Sequence, residues 1–166
     1  MAELVPIAGV APDAVEQLLD RAFGRDRHGR TAYRLREGVA ALPELSFAAS
    51  QGDTLLGTIQ CWPVRFTGDD GRATPLVLVG PVAVLPERQQ EGHGRRLMQA
   101  SLDAAGDAGL MLIGDPEYYG RFFGFSAERT GKWRLPGPVE RHRLLARGAD
   151  VPDAAGVIGP RLPAIA

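Results

Sequence analysis

A short loop with two glycines, residues 89–94, holds the residues of this chain best suited to chemistry. Glycines let a ligand approach the backbone, because no Cβ stands in its way. A helix predicted to begin at Gly94 would point its first N–H groups, and the positive end of its dipole, at the loop. The basic pair Arg95-Arg96 adds charge there. The loop therefore suits phosphate binding, and a plain strand-to-helix turn explains its glycines equally well.

Two common phosphate-binding loops are excluded by the residue types. A dinucleotide fingerprint needs a third glycine three residues after Gly94, where the chain has Leu97. A P-loop needs Gly-Lys-Ser or Gly-Lys-Thr, and neither occurs in the sequence. The apolar run before the loop, residues 76–85, is rich in β-branched residues and predicts a buried strand. Gly80-Pro81 predicts a bulge or splay within it, because proline cannot donate to a ladder.

A second stretch suited to chemistry, residues 114–125, is far richer in aromatic residues than the 7% average of the chain. It predicts a short helix that ends at Gly124 and packs aromatic rings into the core. The phenylalanines expected in the core are Phe122, Phe123 and Phe125. Tyr118 and Tyr119 belong to the same helix, but a phenol is also a proton donor. These two tyrosines are therefore candidates for acid catalysis.

The remaining pattern predicts an α/β (α+β) fold with a mixed, mostly antiparallel central sheet flanked by helices. Residues 1–166 are expected to form a single domain, with residues 150–166 as an irregular surface tail rich in Pro, Gly and Ala. The predicted elements are strand 4–7, helices 12–23 and 31–37, strands 45–50, 54–66 and 76–85, helix 94–105, strand 110–113, the short aromatic helix, and strands 132–135 and 139–145.

Composition and charge restrict which partners this protein could bind and which cell compartment it could occupy. The net charge of −1 gives no overall attraction to nucleic acid or to an anionic membrane. The longest apolar run is too short to span a membrane, and the first residues do not resemble a signal peptide. The single cysteine, Cys61, excludes an internal disulfide and a cysteine-based zinc site, and we expect it to be a buried small residue. Such cysteine usage predicts a cytoplasmic, reducing location. Residues 24–30 are expected to form a solvated loop in which His28 is exposed.

The pattern Gln89-x-x-Gly92-x-Gly94, directly after a strand and Pro86, resembles the pyrophosphate loop of the GNAT acyltransferase superfamily of N-acetyltransferases. The tyrosine-containing stretch 114–125 resembles the YhbS-like branch of that superfamily, with Phe122-Phe123 where the branch has one Phe. The resemblance covers the whole chain in layout, and its diagnostic motifs lie within residues 82–125.

The resemblance implies that acetyl-CoA is the cofactor. Backbone groups of Val82, Ala83 and Val84 would pair with the pantetheine arm like an added strand. Backbone N–H groups of the glycine loop would bind the pyrophosphate. The loop residues implied are Gln89, Gln90, Glu91, Gly92, His93, Gly94 and Arg95.

The implied reaction is direct attack of a primary amine, from a small molecule or a protein, on the thioester of acetyl-CoA. A backbone N–H near Val84 would stabilise the oxyanion, and Tyr119, with Tyr118 as the second choice, would protonate the leaving thiolate. No general base can be identified. For Asp115, Glu117 and His142, a surface or structural role is the favoured interpretation.

Two other functions remain open at this point. The same loop would serve a non-catalytic CoA-binding sensor or scaffold, and the lack of an identifiable base favours that alternative slightly. A phosphotransferase is a weaker hypothesis, because the chain has no P-loop lysine. Edge strands towards the C-terminal end could pair two copies into a homodimer.

Overall fold

The computed structural model describes residues 2–162, and these contain eight strands and four α-helices. The strands are β1 Glu3–Pro6, β2 Phe47–Gln51, β3 Thr54–Gly68, β4 Ala73–Val84, β5 Leu110–Ile113, β6 Trp133–Arg134, β7 Leu144–Arg147 and β8 Gly156–Pro160. The helices are α1 Pro12–Phe23, α2 Thr31–Arg34, α3 His93–Ala105 and α4 Pro116–Phe123. None of the helices within this range is long and apolar enough to cross a membrane.

All eight strands belong to a mixed, mostly antiparallel sheet, which confirms the predicted fold class. The described residues group into two compact units. Unit 1 is drawn from Met1–His28, Ala41–Cys61 and Val79–Gly106. Unit 2 is drawn from Gly29–Ala40, Trp62–Leu78 and Asp107–Ala166.

Unit 1 contains an antiparallel arrangement of β1, β2 and the first half of β3. Leu4 pairs with Ala49 and Phe47 pairs with Ile59. The β2–β3 turn contains Gly52, whose φ of +59° is a conformation that glycine adopts without strain. Helix α3 packs on this layer, where the Ser101 hydroxyl donates to the Leu45 carbonyl at 2.7 Å. The largest buried apolar side chains here are Leu19, Leu56, Ile59, Leu97 and Met98.

Unit 2 contains the parallel pairing and the remaining antiparallel pairs. The first half of β4 runs parallel to β5, with Val77 opposite Leu110, and β5 is antiparallel to β7. Strand β8 is antiparallel to the second half of β3 and parallel to β6. The Trp133 side chain is fully buried and packs on Phe66 with ring centroids 5.6 Å apart.

The prediction of an irregular tail at residues 150–166 is wrong for residues 156–160, which form β8. Gly156 allows this pairing, because a Cβ at that position would lie 2.5 Å from the ring of Phe66. Ile158 is 1% exposed. Gly and Pro are rare in strands, so the residue types of this stretch do not predict one. The strand forms because β3 offers it a pairing partner. Residues 163–166 lie outside the described range.

Three local predictions also need correction. The helix predicted for residues 31–37 ends at Arg34, and the strand predicted for 139–145 begins only at Leu144, after a 3-10 turn at Arg141–Arg143. The loop at residues 24–30 does expose His28, as predicted, but Arg27 is buried and forms ion pairs with Glu16 and Asp20 of α1. A charge at this level of burial requires such partners, which a loop pattern does not specify.

Cys61 is buried, as predicted, and burial raises the pKa of its thiol to about 11. Because the thiolate is the reactive form, we expect Ellman's reagent at pH 8 to label the folded protein about 100-fold more slowly than the protein in guanidinium chloride. Absorbance of the released thiolate measures both rates, and Cys61→Ala gives the blank. Equal rates in the two states would contradict the burial of this side chain.

Candidate active site

The predicted cofactor strand, β4, contains a glycine in a backbone conformation that other residues rarely adopt. Gly80 has φ +118°, and the Gly80–Pro81 peptide bond is cis. The parallel pairing of β4 with β5 covers Val77 and Leu78, before Gly80. Residues 82–84 follow Pro81 and end the strand.

A glycine in β3 brings the end of β4 and helix α3 close together within unit 1. A Cβ on Gly57 would lie 2.8 Å from the carbonyl oxygen of Ala83 and 3.1 Å from Leu97 Cδ1. A Cβ on Gly94 would lie 3.8 Å from Val84 and 4.0 Å from Val82. The first turn of α3 therefore lies against the strand segment that was predicted to bind the pantetheine arm.

The loop between β4 and α3 has a backbone that exposes the start of the helix. Gln90 has φ +70°, and within residues 2–162 it is the only non-glycine residue with a positive φ. Gly92 is the N-cap of α3 in the left-handed conformation, with φ +88° and ψ 4°, and no side chain caps the helix. Because a glycine cap leaves the first N–H groups of a helix accessible, this geometry suits an anionic ligand.

The Glu91 carboxylate within the loop pairs with Arg88, which compensates its negative charge, and is hydrogen-bonded to His93. Arg88 Nε lies 2.8 Å from both carboxylate oxygens, and His93 Nε2 lies 2.9 Å from Oε1. Hydrogen bonds from His93 and Arg88 lower the pKa of the Glu91 carboxyl. Arg88 Nη2 also donates to Gln51 Oε1 at 3.0 Å, which ties the loop to the β2–β3 turn.

Sequence reasoning missed this set of contacts, which combines a local pair with a long-range one. The spacing of Arg88 and Glu91 could have indicated their ion pair, whereas nothing in the sequence indicates Gln51. His93 is 7% exposed, and its Nδ1 has no hydrogen-bond partner within residues 2–162.

The predicted acid catalysts lie on α4, in unit 2. Asp115 caps this helix by accepting from the Glu117 N–H at 3.0 Å, and Gly124 ends it with φ +74°. The ring of Tyr119 lies over Gly114, where a Cβ would come within 2.5 Å of it. Tyr118 packs on Tyr119 edge to face, with ring centroids 4.9 Å apart.

Burial raises the pKa of Tyr119 to about 12, and Tyr118 and Asp115 add to the rise while Arg143 opposes it. The phenol is therefore neutral at physiological pH and available as a donor. The sequence indicated Tyr119 as a candidate donor but not its environment. Only the folded chain places the ring over Gly114 and brings Arg143 close enough to affect the pKa of Tyr119.

The other predicted residues of the aromatic stretch divide between core and surface. Phe123 and Phe125 are buried as predicted, but Phe122 is 41% exposed, so its placement in the core was wrong. Its ring lies on the outer face of α4, where Arg121 stacks on it at 5.4 Å. Glu117 and His142 are exposed. Within the described part of the chain, no group of three or more His, Cys, Asp or Glu residues is arranged to hold a metal ion.

Strand β4, the glycine loop, helix α3 and the tyrosine-bearing helix α4 follow one another in the order expected from the resemblance to an acyltransferase, and the family comparison agrees. The model of the acetyltransferase (GNAT) family matches residues 12–125. The chain therefore belongs to the GNAT acetyltransferase family. It is an acyltransferase of a family whose co-substrate is coenzyme A in its acylated form.

Relatives of known sequence support the same assignment. The uncharacterized N-acetyltransferase YhbS of Escherichia coli K12 is 29% identical over 137 residues, which are 78% of this chain and 80% of that protein. This similarity confirms the resemblance to the YhbS-like branch.

Two solved structures share the fold over almost the whole chain. A GNAT family acetyltransferase from Brucella melitensis, in complex with acetyl-CoA, has a TM-score of 0.66 and 27% identity, covering 97% of this chain and 96% of its own. Escherichia coli YhbS in complex with CoA has a TM-score of 0.69 and 23% identity, covering 97% and 89%. The second likeness concerns the fold alone.

Proposed function

We propose that this protein transfers the acetyl group of acetyl-CoA to a primary amine of a small molecule or a protein. The observation that carries the proposal is the glycine-capped start of α3, which lies against Val82 and Val84 at the end of β4. Family membership and the acetyl-CoA complex of the Brucella melitensis relative support the choice of cofactor.

The loop fits a pyrophosphate in conformation and in charge. A Cβ at Gly92 would meet nothing within 4 Å, so the backbone there is open to a ligand. The carboxylate of Glu91 is paired with Arg88 and His93, so a pyrophosphate does not face an uncompensated negative charge. Loop backbone N–H groups, with Gln89, Gln90 and Arg95 at the margins, would hold the phosphates. Backbone groups of Val82, Ala83 and Val84 would pair with the pantetheine arm.

The transfer needs an attacking lone pair, an oxyanion donor and a proton for the leaving sulfur. The neutral amine forms a C–N bond at the thioester carbonyl, and the C–S bond breaks as the oxyanion collapses. A backbone N–H near Val84 stabilises the oxyanion, and the amine loses its extra proton to solvent. Tyr119 donates a hydrogen bond to the departing thiolate, which ends as the thiol of CoA.

The raised pKa of Tyr119 determines how much this donor contributes. Full proton transfer from a phenol with a pKa of about 12 to a thiolate with an ordinary pKa near 8.5 is uphill. The larger part of its effect is therefore a charge-assisted hydrogen bond, which is worth roughly 1.5–3 kcal/mol. The final proton can also come from water.

Isothermal titration with acetyl-CoA tests the proposed cofactor directly. We expect a dissociation constant between about 1 µM and about 1 mM, because enzymes commonly bind substrates in this range. Titration of ATP provides the control, since the chain has no P-loop. Absence of binding at about 1 mM acetyl-CoA would contradict the proposal.

A release assay for the CoA thiol, run with a panel of primary amines, then separates catalysis from binding alone. Acetylation of at least one amine is expected. Tight acetyl-CoA binding without acetylation of any amine would instead indicate a sensor or scaffold.

We also propose that the chain is a single domain, that the protein is cytoplasmic and that it forms a homodimer. A buried free cysteine suits a reducing compartment. The outer edge of β7 is partly covered, because the backbone of Ala146 pairs with Ser126. Strand β1, at the other end of the path of strands, could pair with a second copy. Size-exclusion chromatography with light scattering tests the dimer, and a monomeric mass at about 100 µM would exclude it as a stable species.

A further inference from the structure

A small surface cavity in unit 2 is lined by none of the residues predicted to bind acetyl-CoA. Its volume is about 100 Å³. Six of the residues that line it are Gly124, Ser126, Glu128, Arg129, Arg147 and Gly148, and we call it the arginine cleft. Most of these residues follow residue 125, where the match to the family model ends, so the cleft is not part of what the family match covers.

The two walls of the cleft are held together by backbone hydrogen bonds. The Ser126 N–H donates to the Ala146 carbonyl at 3.0 Å, and the Ala146 N–H donates back to Ser126 at 2.8 Å. One wall follows the end of α4 and the other is the end of β7. The cleft is therefore part of the packed sheet edge, and its geometry is fixed by the fold.

Both arginines are anchored by one terminal nitrogen. Arg129 Nη1 donates to the carbonyls of Gly148 at 2.8 Å and Val151 at 3.3 Å. Arg147 Nη1 donates to the Phe123 carbonyl at 3.0 Å. Arg129 Nη1 also donates to the Ala149 carbonyl at 3.5 Å. Within residues 2–162, Nε and Nη2 of both guanidinium groups make no hydrogen bond, so they remain as donors. Because Nη1 of each arginine is already held, binding a ligand would cost less side-chain entropy than it would for two unanchored arginines.

The charges of the cleft favour an anion. Arg129 and Arg147 are opposed by one carboxylate, that of Glu128. The Ser126 hydroxyl oxygen accepts from the Glu128 N–H at 3.4 Å, which leaves its proton available for donation. Among these side chains, two positive charges face one negative charge, and the hydroxyl adds a further donor.

We propose that the arginine cleft binds a phosphate group. A cavity of about 100 Å³ has room for a phosphate group. A phosphate carries about two negative charges near pH 7 and offers three oxygens to the two guanidinium forks, whereas a carboxylate offers two oxygens and one charge. The phosphate is either free or the phosphoryl group of a larger molecule, since both present the same oxygens.

Titration calorimetry with inorganic phosphate in a low-salt Hepes buffer tests the cleft. It is performed with and without saturating CoA, which occupies the glycine loop. We expect phosphate to bind with a dissociation constant of about 1 mM or tighter, whether or not CoA is present. Arg147→Gln should weaken phosphate binding at least about tenfold, because a charge-assisted bidentate contact is lost. Glu128→Gln should tighten it about threefold, because a like charge is removed.

Arg72→Gln is the matched control, since the Arg72 side chain is 89% exposed and does not line the cleft. Arg129 also holds the turn at residues 148–151, so replacing it by a short side chain could unfold that turn. We therefore test Arg129→Lys and measure its thermal unfolding as well. We expect Arg129→Lys to fold normally and to bind phosphate more weakly.

Two results would overturn the proposal. One is equal phosphate binding by wild type and Arg147→Gln, and the other is a Glu128→Gln protein that binds no more tightly. O-phosphoserine serves as a second probe. Tighter binding of phosphoserine indicates a phosphorylated partner, tighter binding of inorganic phosphate indicates free phosphate, and binding of neither overturns the proposal. A protein that binds phosphate at the cleft but not CoA would contradict the proposed function alone.

Discussion

Replacing Tyr119 by phenylalanine should lower kcat for acetyl transfer about 10- to 100-fold, while the Kd for acetyl-CoA changes less than about twofold. The expected loss is that of one hydrogen bond to a developing thiolate. The phenylalanine ring fills the same space over Gly114, so folding should be preserved. Initial rates of CoA release give kcat, and calorimetry gives Kd.

The pH profile adds a test of the protonation state. Because burial raises the pKa of Tyr119 to about 12, the phenol stays protonated and wild-type activity should not fall through its ionisation below about pH 11. The rate at alkaline pH should instead rise as the acceptor amine loses its proton, to a plateau. A fall in kcat centred near pH 10, absent from Tyr119→Phe, would contradict the assigned environment.

Two further variants test whether the position of the Tyr119 hydroxyl matters as well as its presence. Gly114→Ala should lower kcat to a similar extent with the phenol intact, because the added Cβ would lie 2.5 Å from the Tyr119 ring and displace it. Tyr118→Phe is the matched control on the same helix and should reduce kcat less than about threefold. A large effect of Tyr118→Phe together with none of Tyr119→Phe would exchange the roles of the two tyrosines.

Replacing Gly92 by alanine should weaken acetyl-CoA binding about tenfold. Gly92 caps α3 with φ +88°, and an L-residue in the left-handed region is strained by roughly 1–2 kcal/mol. We expect the loop to relax away from this conformation, and ligand binding must then restore it. The change should appear in Kd, measured by calorimetry, more than in kcat at saturation.

Gly71→Ala is the matched control for the strain itself. Gly71 has φ +89°, and, as at Gly92, a Cβ would meet nothing within 4 Å. It lies in the turn before β4, outside the glycine loop. Both variants should lose a similar free energy of unfolding, but only Gly92→Ala should lose affinity for acetyl-CoA. Equal loss of affinity in both would mean that general destabilisation, and not loop geometry, controls binding.

Several elements of this protein were predictable because their signals are local. Helix α1 has the predicted bounds, with Pro12 at its start and Gly24 after its end. The glycine loop and the start of α3 were located from the spacing of Gly92 and Gly94, and α3 begins one residue before its predicted start. Glycine conformation, helix caps and hydrophobic periodicity depend on neighbouring residues, so the sequence displays them directly.

Other features depend on residues far apart in the chain. Strand β8 exists because Val64 pairs with Pro160 and Gly156 fits beneath Phe66, although its own composition resembles a tail. Arg27 is buried because α1 supplies two carboxylates. No local pattern records such partners.

The sequence by itself therefore located the glycine loop between β4 and α3 and the tyrosines of α4, on which the proposed cofactor-binding and donor roles rest. Only the tertiary structure decided the pKa of Tyr119, the hydrogen bond from Arg88 to Gln51, and the meeting of Arg129 with Arg147 at one cavity. The physical reason is that burial and side-chain charge pairing are set by which distant segments pack together, whereas a glycine loop at a helix start is complete within about ten residues.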